Sequence, residues 1–137
     1  MTRIKYNYDI MKYMSMFESL TGAKLKDCIV NGEITFVVQE NDMGKAIGKN
    51  GANIKRMENL LKKKIKLIEF NNDVERFIGN LINPLKANDI KEEDGAVNIY
   101  VQDFKTKGIL IGRDRNKINS INEIVKRYFK VKEVKVV

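Results

Sequence analysis

The sequence predicts an α+β protein built from one small unit used twice. Three observations carry this. First, sliding the 137-residue chain against itself by 64 positions pairs Gly44 with Gly108, Ile47 with Ile111, Gly48 with Gly112, Lys49 with Arg113 and Ile54 with Ile118. The match extends upstream, where Ile10, Tyr13, Met14 and Phe17 meet Val74, Phe77, Ile78 and Leu81, and it needs no gap. Second, the periodicities run in the same order in both copies: helix, strand, strand, short helix, glycine turn, helix, strand. Third, each strand pair is joined by a hairpin dipeptide, Asn31-Gly32 or Asp94-Gly95. A repeat this long is a duplicated domain and not a solenoid unit. The expected units are residues 1–70 and 71–137, each a three-stranded sheet with helices on one face.

Each element has a physical reason. Apolar residues at 10, 13, 14, 17 and 20, and again at 74, 77, 78, 81 and 82, have the i, i+3, i+4, i+7 spacing of an amphipathic helix. Met11, Met14 and Met16 read as core filling on the first of these. Asp73 can cap the second, and Pro84 falls near its end. Lys26–Val30 and Glu33–Gln39 flank Asn31-Gly32, a turn in which both residues are expected at positive φ; Asn88–Glu93 and Ala96–Gln102 flank Asp94-Gly95 in the same way. A short helix to Ile47, a break at Gly48–Gly51 and a helix to about Lys63 follow, with Ile54, Met57, Leu60 and Leu61 on one face. Ile118, Ile121, Ile124, Val125 and Tyr128 repeat that face, and strands at 65–70 and 131–137 close the units.

Composition narrows the chemistry. There is no His and only one Cys, Cys28, so a His/Cys zinc site, a His-activated nucleophile and an intrachain disulfide are all excluded. No apolar run approaches the roughly 20 residues of a membrane span, and Met1–Tyr6 lacks the apolar stretch of a leader. The expectation is a cytoplasmic protein with neither cofactor nor metal, no small-molecule substrate and no membrane contact.

The formal net charge is +8, and it is localised. Residues 44–66 carry eight basic side chains against Glu58 alone, and residues 105–132 carry nine against Asp114 and Glu123. Residues 67–104 carry three against eight. Two compact basic blocks on an otherwise acidic chain suit an anionic polymer. Each block surrounds a glycine turn. In the first, Gly48-Lys49-Asn50-Gly51 joins two helices, where glycine lets a phosphate approach the main chain, the following helix offers free N–H groups and Lys49 adds a cation. A helix-to-helix turn with glycine at the C-cap is the simpler alternative. The spacing is neither a P-loop nor Gly-x-Gly-x-x-Gly, which excludes the common nucleotide-binding enzymes.

The run Ile47-Gly48-Lys49-Asn50-Gly51-Ala52-Asn53-Ile54 resembles the signature of the KH (K-homology) RNA-binding family, and the element order is similar to its type II form. Two such units filling the chain resemble the archaeal NusA-like termination factors. The resemblance implies single-stranded RNA as partner, no catalytic residues, and a role in transcription termination or antitermination. It implies that Gly48, Lys49, Asn50 and Gly51 hold phosphates and that Ile47 and Ile54 line a groove for unstacked bases, flanked by Lys45, Asn53, Lys55 and Arg56. Ile111, Gly112, Arg113, Asp114, Arg115, Lys117 and Ile118 would extend the track. The second copy departs from the pattern: Arg115 stands at the second glycine and Asp114 repels phosphate, while Arg113, Arg115 and Lys117 attract it. Ile47, Ile54 and Ile118 equally read as core, and Asn53, Lys55 and Arg56 as solvated helix positions. Residues 43–69 contain no aromatic side chain, so recognition there relies on backbone and groove contacts, not on stacking. The alternative function is a protein-binding adaptor, with RNA polymerase or a ribosome-assembly particle as partner and the acidic stretch Asp89–Asp103 as the docking surface.

Overall fold

The computed structural model describes residues 7–137, so the leader reading of Met1–Tyr6 lies outside the described residues. The chain divides between Asn71 and Asn72 into two compact units, and its architecture is α+β with two three-stranded sheets. The first unit contains α1 (Tyr8–Thr21), β1 (Leu25–Asn31), β2 (Glu33–Val38), α2 (Met43–Ile47), α3 (Ala52–Leu61) and β3 (Ile65–Glu69). The second contains α4 (Val74–Ile82), β4 (Asp89–Glu93), β5 (Ala96–Tyr100), α5 (Phe104–Ile111), α6 (Asn116–Tyr128) and β6 (Glu133–Val136). In both sheets the middle strand pairs antiparallel with its hairpin partner and parallel with the last strand.

Local chemistry sets the helix ends. Asn7 accepts the Ile10 N–H at 2.9 Å, and Gly22 ends α1 in the left-handed region at φ 76°. Asp73 caps α4 as expected, accepting the Glu75 N–H at 2.9 Å. β2 is buried from Ile34 to Val38, the pattern of a central strand. Its Ile34, Phe36 and Val38 pack with Phe17, Cys28, Ala46 and Met57, and the Phe17 and Phe36 rings stack 4.3 Å apart. Each fully buried phenylalanine of this kind contributes about 1.5–3 kcal/mol relative to exposure. In the second unit Phe77, Val97, Ile99, Leu110, Ile118, Ile121 and Val125 are buried, and Phe77 meets Tyr128 edge-on at 5.6 Å.

Three expectations need correction. The Asn31-Gly32 turn does not place both residues at positive φ; Gly32 alone does so, at 90°, and Asn31 pairs directly with Glu33. The cause is a register shift between Leu25 and Asp27: the pairing Leu25↔Val38, continued unbroken, would have left a two-residue turn, and the extra residue in β1 moves the turn onto Gly32. Asp94-Gly95 forms the expected two-residue turn, with φ of 54° and 85° between the paired Glu93 and Ala96.

The repeat is also not gapless in three dimensions. The loop glycines keep the 64-residue offset, but α5 has 8 residues against 5 in α2, and α6 has 13 against 10 in α3. The Val38 carbonyl accepts the Phe70 N–H and the Ile99 carbonyl accepts the Val137 N–H, so the middle strands are offset by 61 and the last strands by 67. Three residues are close to one helical turn, so each extension leaves the apolar face pointing at the sheet. Lastly, Met11 and Leu60 are exposed, at 58% and 57%, so neither fills the core.

Candidate nucleic-acid interface

In the first unit, α2 ends at Gly48, whose N–H donates to the Gly44 carbonyl at 3.0 Å. Gly48 takes φ 74° and ψ 171°, a region open essentially to glycine alone. Asn50 (φ 55°, ψ 30°) and Gly51 (φ 73°, ψ 17°) then turn the chain through left-handed conformations into α3. The second loop repeats the path. Gly112 has φ 76° and ψ 170°, Asp114 φ 53° and ψ 33°, and Arg115 φ 62° and ψ 20°. In both, the fourth loop residue donates its N–H to the carbonyl of the first at 3.2 Å. Arg115 therefore occupies the backbone conformation of Gly51 despite its Cβ.

The two glycines of the first loop serve different ends. A Cβ on Gly48 would stand 2.8 Å from Asn53 Cγ, whereas a Cβ on Gly51 meets nothing within 4 Å. Gly48 is thus required both by its backbone conformation and by packing inside the protein, and Gly51 by φ alone. Open space beside Gly51 explains how Arg115 is accommodated: the cost is backbone strain alone, of order 1 kcal/mol for a left-handed non-glycine residue. Arg115→Gly is accordingly expected to stabilise the protein by about 0.5–1 kcal/mol, part of the relief being offset by glycine's greater freedom when unfolded. Chemical denaturation checks this, and an unchanged or lowered midpoint contradicts it.

The predicted residues fall into three groups. Lys45, Lys49, Asn50, Lys55, Arg56, Arg113, Asp114 and Arg115 are exposed, and Lys117 is half-buried. Among the described residues no ion pair neutralises the cations of this group, which leaves them available to phosphate. No side chain caps α3 or α6; the first N–H of each, from Ala52 and Asn116, donates to the loop carbonyls of Lys49 and Arg113, and the next N–H groups have no side-chain acceptor at the cap. Ile47, at 36% exposure, together with the half-buried Ile54 and Ile111, offers apolar surface beside the loops. Two residues serve otherwise. Ile118 is 1% exposed and cannot line a groove; with Ile121 and Val125 it fills the core face of α6. The Asn53 amide donates to the Lys45 carbonyl at 2.9 Å and braces the end of α2 across the loop, a role its counterpart Lys117, lacking an amide, does not share.

Two residues outside the expected RNA-binding set stand at the start of α5. Phe104 is 88% exposed at the start of α5, and Asp103 caps that helix, accepting the Thr106 N–H at 3.0 Å and its hydroxyl. An aromatic residue off the apolar period, directly after an Asp-x-x-Thr cap, was the available signal. The Thr106 hydroxyl, with the Thr106 and Lys105 N–H groups, holds the Asp103 carboxyl below its ordinary value of 3.8. A lowered carboxyl stabilises the fold above its unfolded value, and that contribution disappears as pH falls through the lowered one. The melting temperature of Asp103→Ala should therefore fall short of the parent's at pH 6, and the gap should close as pH drops below 3.8. A gap that stays constant across melts from pH 6 to 2.5 would show that the charge contributes nothing.

This geometry agrees with what the chain is similar to. The KH domain family matches residues 12–106, a span that includes the first loop and crosses from one unit into the next. The probable transcription termination protein NusA of Methanococcus vannielii is 37% identical, the alignment covering 98% of this chain and 80% of that protein. Its namesake in Methanocaldococcus jannaschii is 28% identical over the whole of this chain and 77% of its own length. The crystal structure of APE1850 superposes with a TM-score of 0.75 at 29% identity, covering 96% of this chain and all of that one. The chain belongs to the KH-domain family and, within it, to the group of archaeal NusA-like proteins.

Proposed function

We propose that this protein is a non-enzymatic, single-stranded RNA-binding factor of transcription termination or antitermination, built as two tandem type II KH domains over residues 1–70 and 71–137. The observation that carries the reading is the duplicated loop: two glycine-led turns of one backbone shape, each between two helices, with the cations Lys45, Lys49, Lys55, Arg56, Arg113, Arg115 and Lys117 in no ion pair among the described residues. Gly48–Gly51 and Gly112–Arg115 grip the RNA backbone, and Ile47, Ile54 and Ile111 meet bases. The names of the archaeal relatives supply the termination role. No helix among the described residues is long and apolar enough to cross a membrane.

Salt dependence tests the grip. If each loop engages about four phosphates, single-strand counterion release gives a log-log slope of about −3 for one working loop and about −5 to −6 for two. Titration of an unstructured oligonucleotide at several salt concentrations measures it. A slope near zero, or equal affinity for duplex DNA, contradicts the reading.

A second reading, an adaptor docking RNA polymerase or a ribosome-assembly particle, is favoured by the exposed acidic residues of β4. Part of that surface is engaged within the sheet: the Tyr100 hydroxyl and the Asn98 amide both donate to Glu93, and the Tyr100 bond chiefly lowers its pKa. A pull-down after the first loop is made acidic separates the two, since an adaptor keeps its protein partners.

A further inference from the structure

We propose that Phe104 stacks an unpaired RNA base, so that the second unit reads single-stranded RNA with an aromatic platform that the first unit lacks. The inference rests on the RNA-binding reading above. A singly exposed apolar side chain is ordinary, so exposure alone decides nothing; the surroundings of Phe104 do. It opens the turn by which α5 exceeds α2, 8 residues against 5. Asp103, bonded to both the N–H and the hydroxyl of Thr106, fixes that turn and presents the ring from a rigid helix end.

On an α-helix, positions i, i+4 and i+7 share a face. From Phe104 these are Gly108 and Ile111. A Cβ on Gly108 would meet nothing within 4 Å, and the half-buried Ile111 immediately precedes Gly112, the glycine that opens the second loop. The result is a bare strip about 10 Å long, with a ring at one end and the phosphate loop at the other. Phe104 lies at the edge of the basic block, beside the capping Asp103; exposed Lys105 follows it in the chain, and the rest of the strip, Gly108 and Ile111, lies within residues 105–132, which carry nine basic side chains against two acidic. This charge selects a polyanion over an apolar protein segment as occupant. A base has an apolar face for the ring and brings its phosphate to the loop. Residues 43–69, around the first loop, offer no ring at all.

The chain contains no Trp, so Phe104→Trp creates a single reporter in the full-length protein. Adding unstructured oligoadenylate or oligouridylate should quench its emission saturably, with the half-saturation seen by fluorescence anisotropy of a labelled oligonucleotide. Phe104→Leu should weaken binding about 5- to 150-fold, the range of a lost base–aromatic stack, with the log-log salt slope unchanged because no phosphate contact is removed. Gly108→Leu should weaken binding as well by covering the strip, while its melting temperature holds or rises, since leucine favours a helix over glycine. Unaltered affinity of Phe104→Leu and emission insensitive to saturating RNA, alongside normal binding by the parent, overturns the platform alone. Absence of RNA binding by the parent overturns the RNA reading and the platform with it.

Discussion

Gly112→Ala is expected to destabilise the protein by on the order of 2–4 kcal/mol, and Gly48→Ala by somewhat less. Both glycines sit near φ 75° and ψ 170°, where a Cβ is disfavoured by the backbone itself. At Gly112 that Cβ would also stand 2.7 Å from the Lys117 backbone nitrogen and from Lys117 Cβ. Neither atom can move without shifting α6. At Gly48 the nearest obstacle is the Asn53 side chain, at 2.8 Å, which can swing aside only by releasing the Lys45 carbonyl, with the Asn53 backbone nitrogen behind it at 3.1 Å. Gly51→Ala faces open space and should cost about 1 kcal/mol, the strain of a left-handed residue. Equilibrium denaturation orders the three. A Gly112→Ala loss below that of Gly51→Ala would show that the packing role assigned to the first loop glycine is wrong.

Lys49→Asp combined with Asn50→Asp is expected to cut RNA affinity by about 100-fold while leaving the fold intact. Both side chains are exposed and neither braces the loop. Asp is also among the residues that tolerate the left-handed conformation of Asn50, as Asp114 does in the second copy. The change removes one cation and one donor and sets two anions against the phosphates. The reciprocal change, Asp114→Asn, should tighten binding several-fold by removing repulsion that the second loop already carries. Nitrocellulose or anisotropy titration at fixed salt measures both, with a thermal melt to verify folding. Undiminished affinity in the doubly acidic variant would place the RNA elsewhere on the protein.

The order of elements and the position of both loops were legible in the sequence because each rests on a local rule: helical spacing at Ile10–Leu20, Asp73 as a cap, and Asp94-Gly95 as a turn. What escaped depends on contacts distant in the chain. The Asn31-Gly32 turn fails through a bulge at the other end of β1. Periodicity marks Ile118 as apolar, but whether it faces a groove or the core depends on how α6 seats on its sheet. The gapless repeat concealed compensating changes, since a shorter β4–β5 hairpin and a longer α5 leave the loop offset intact. Identity also misjudged Arg115, which differs from glycine in chemistry but keeps the glycine backbone because nothing crowds its Cβ position. Phe104 was visible as a residue, but the bareness of the strip beside it belongs to the fold.

The central claim is that two loops of one shape hold RNA. Ultraviolet crosslinking of an unstructured oligonucleotide to the intact protein, with the attachment sites mapped by mass spectrometry, tests it most directly. Adducts concentrated at 47–56 and 111–117, with Phe104 joining them where its ring stacks a base, are the predicted result. Adducts confined to the acidic β4–β5 hairpin, or scattered without preference for either loop, would contradict it.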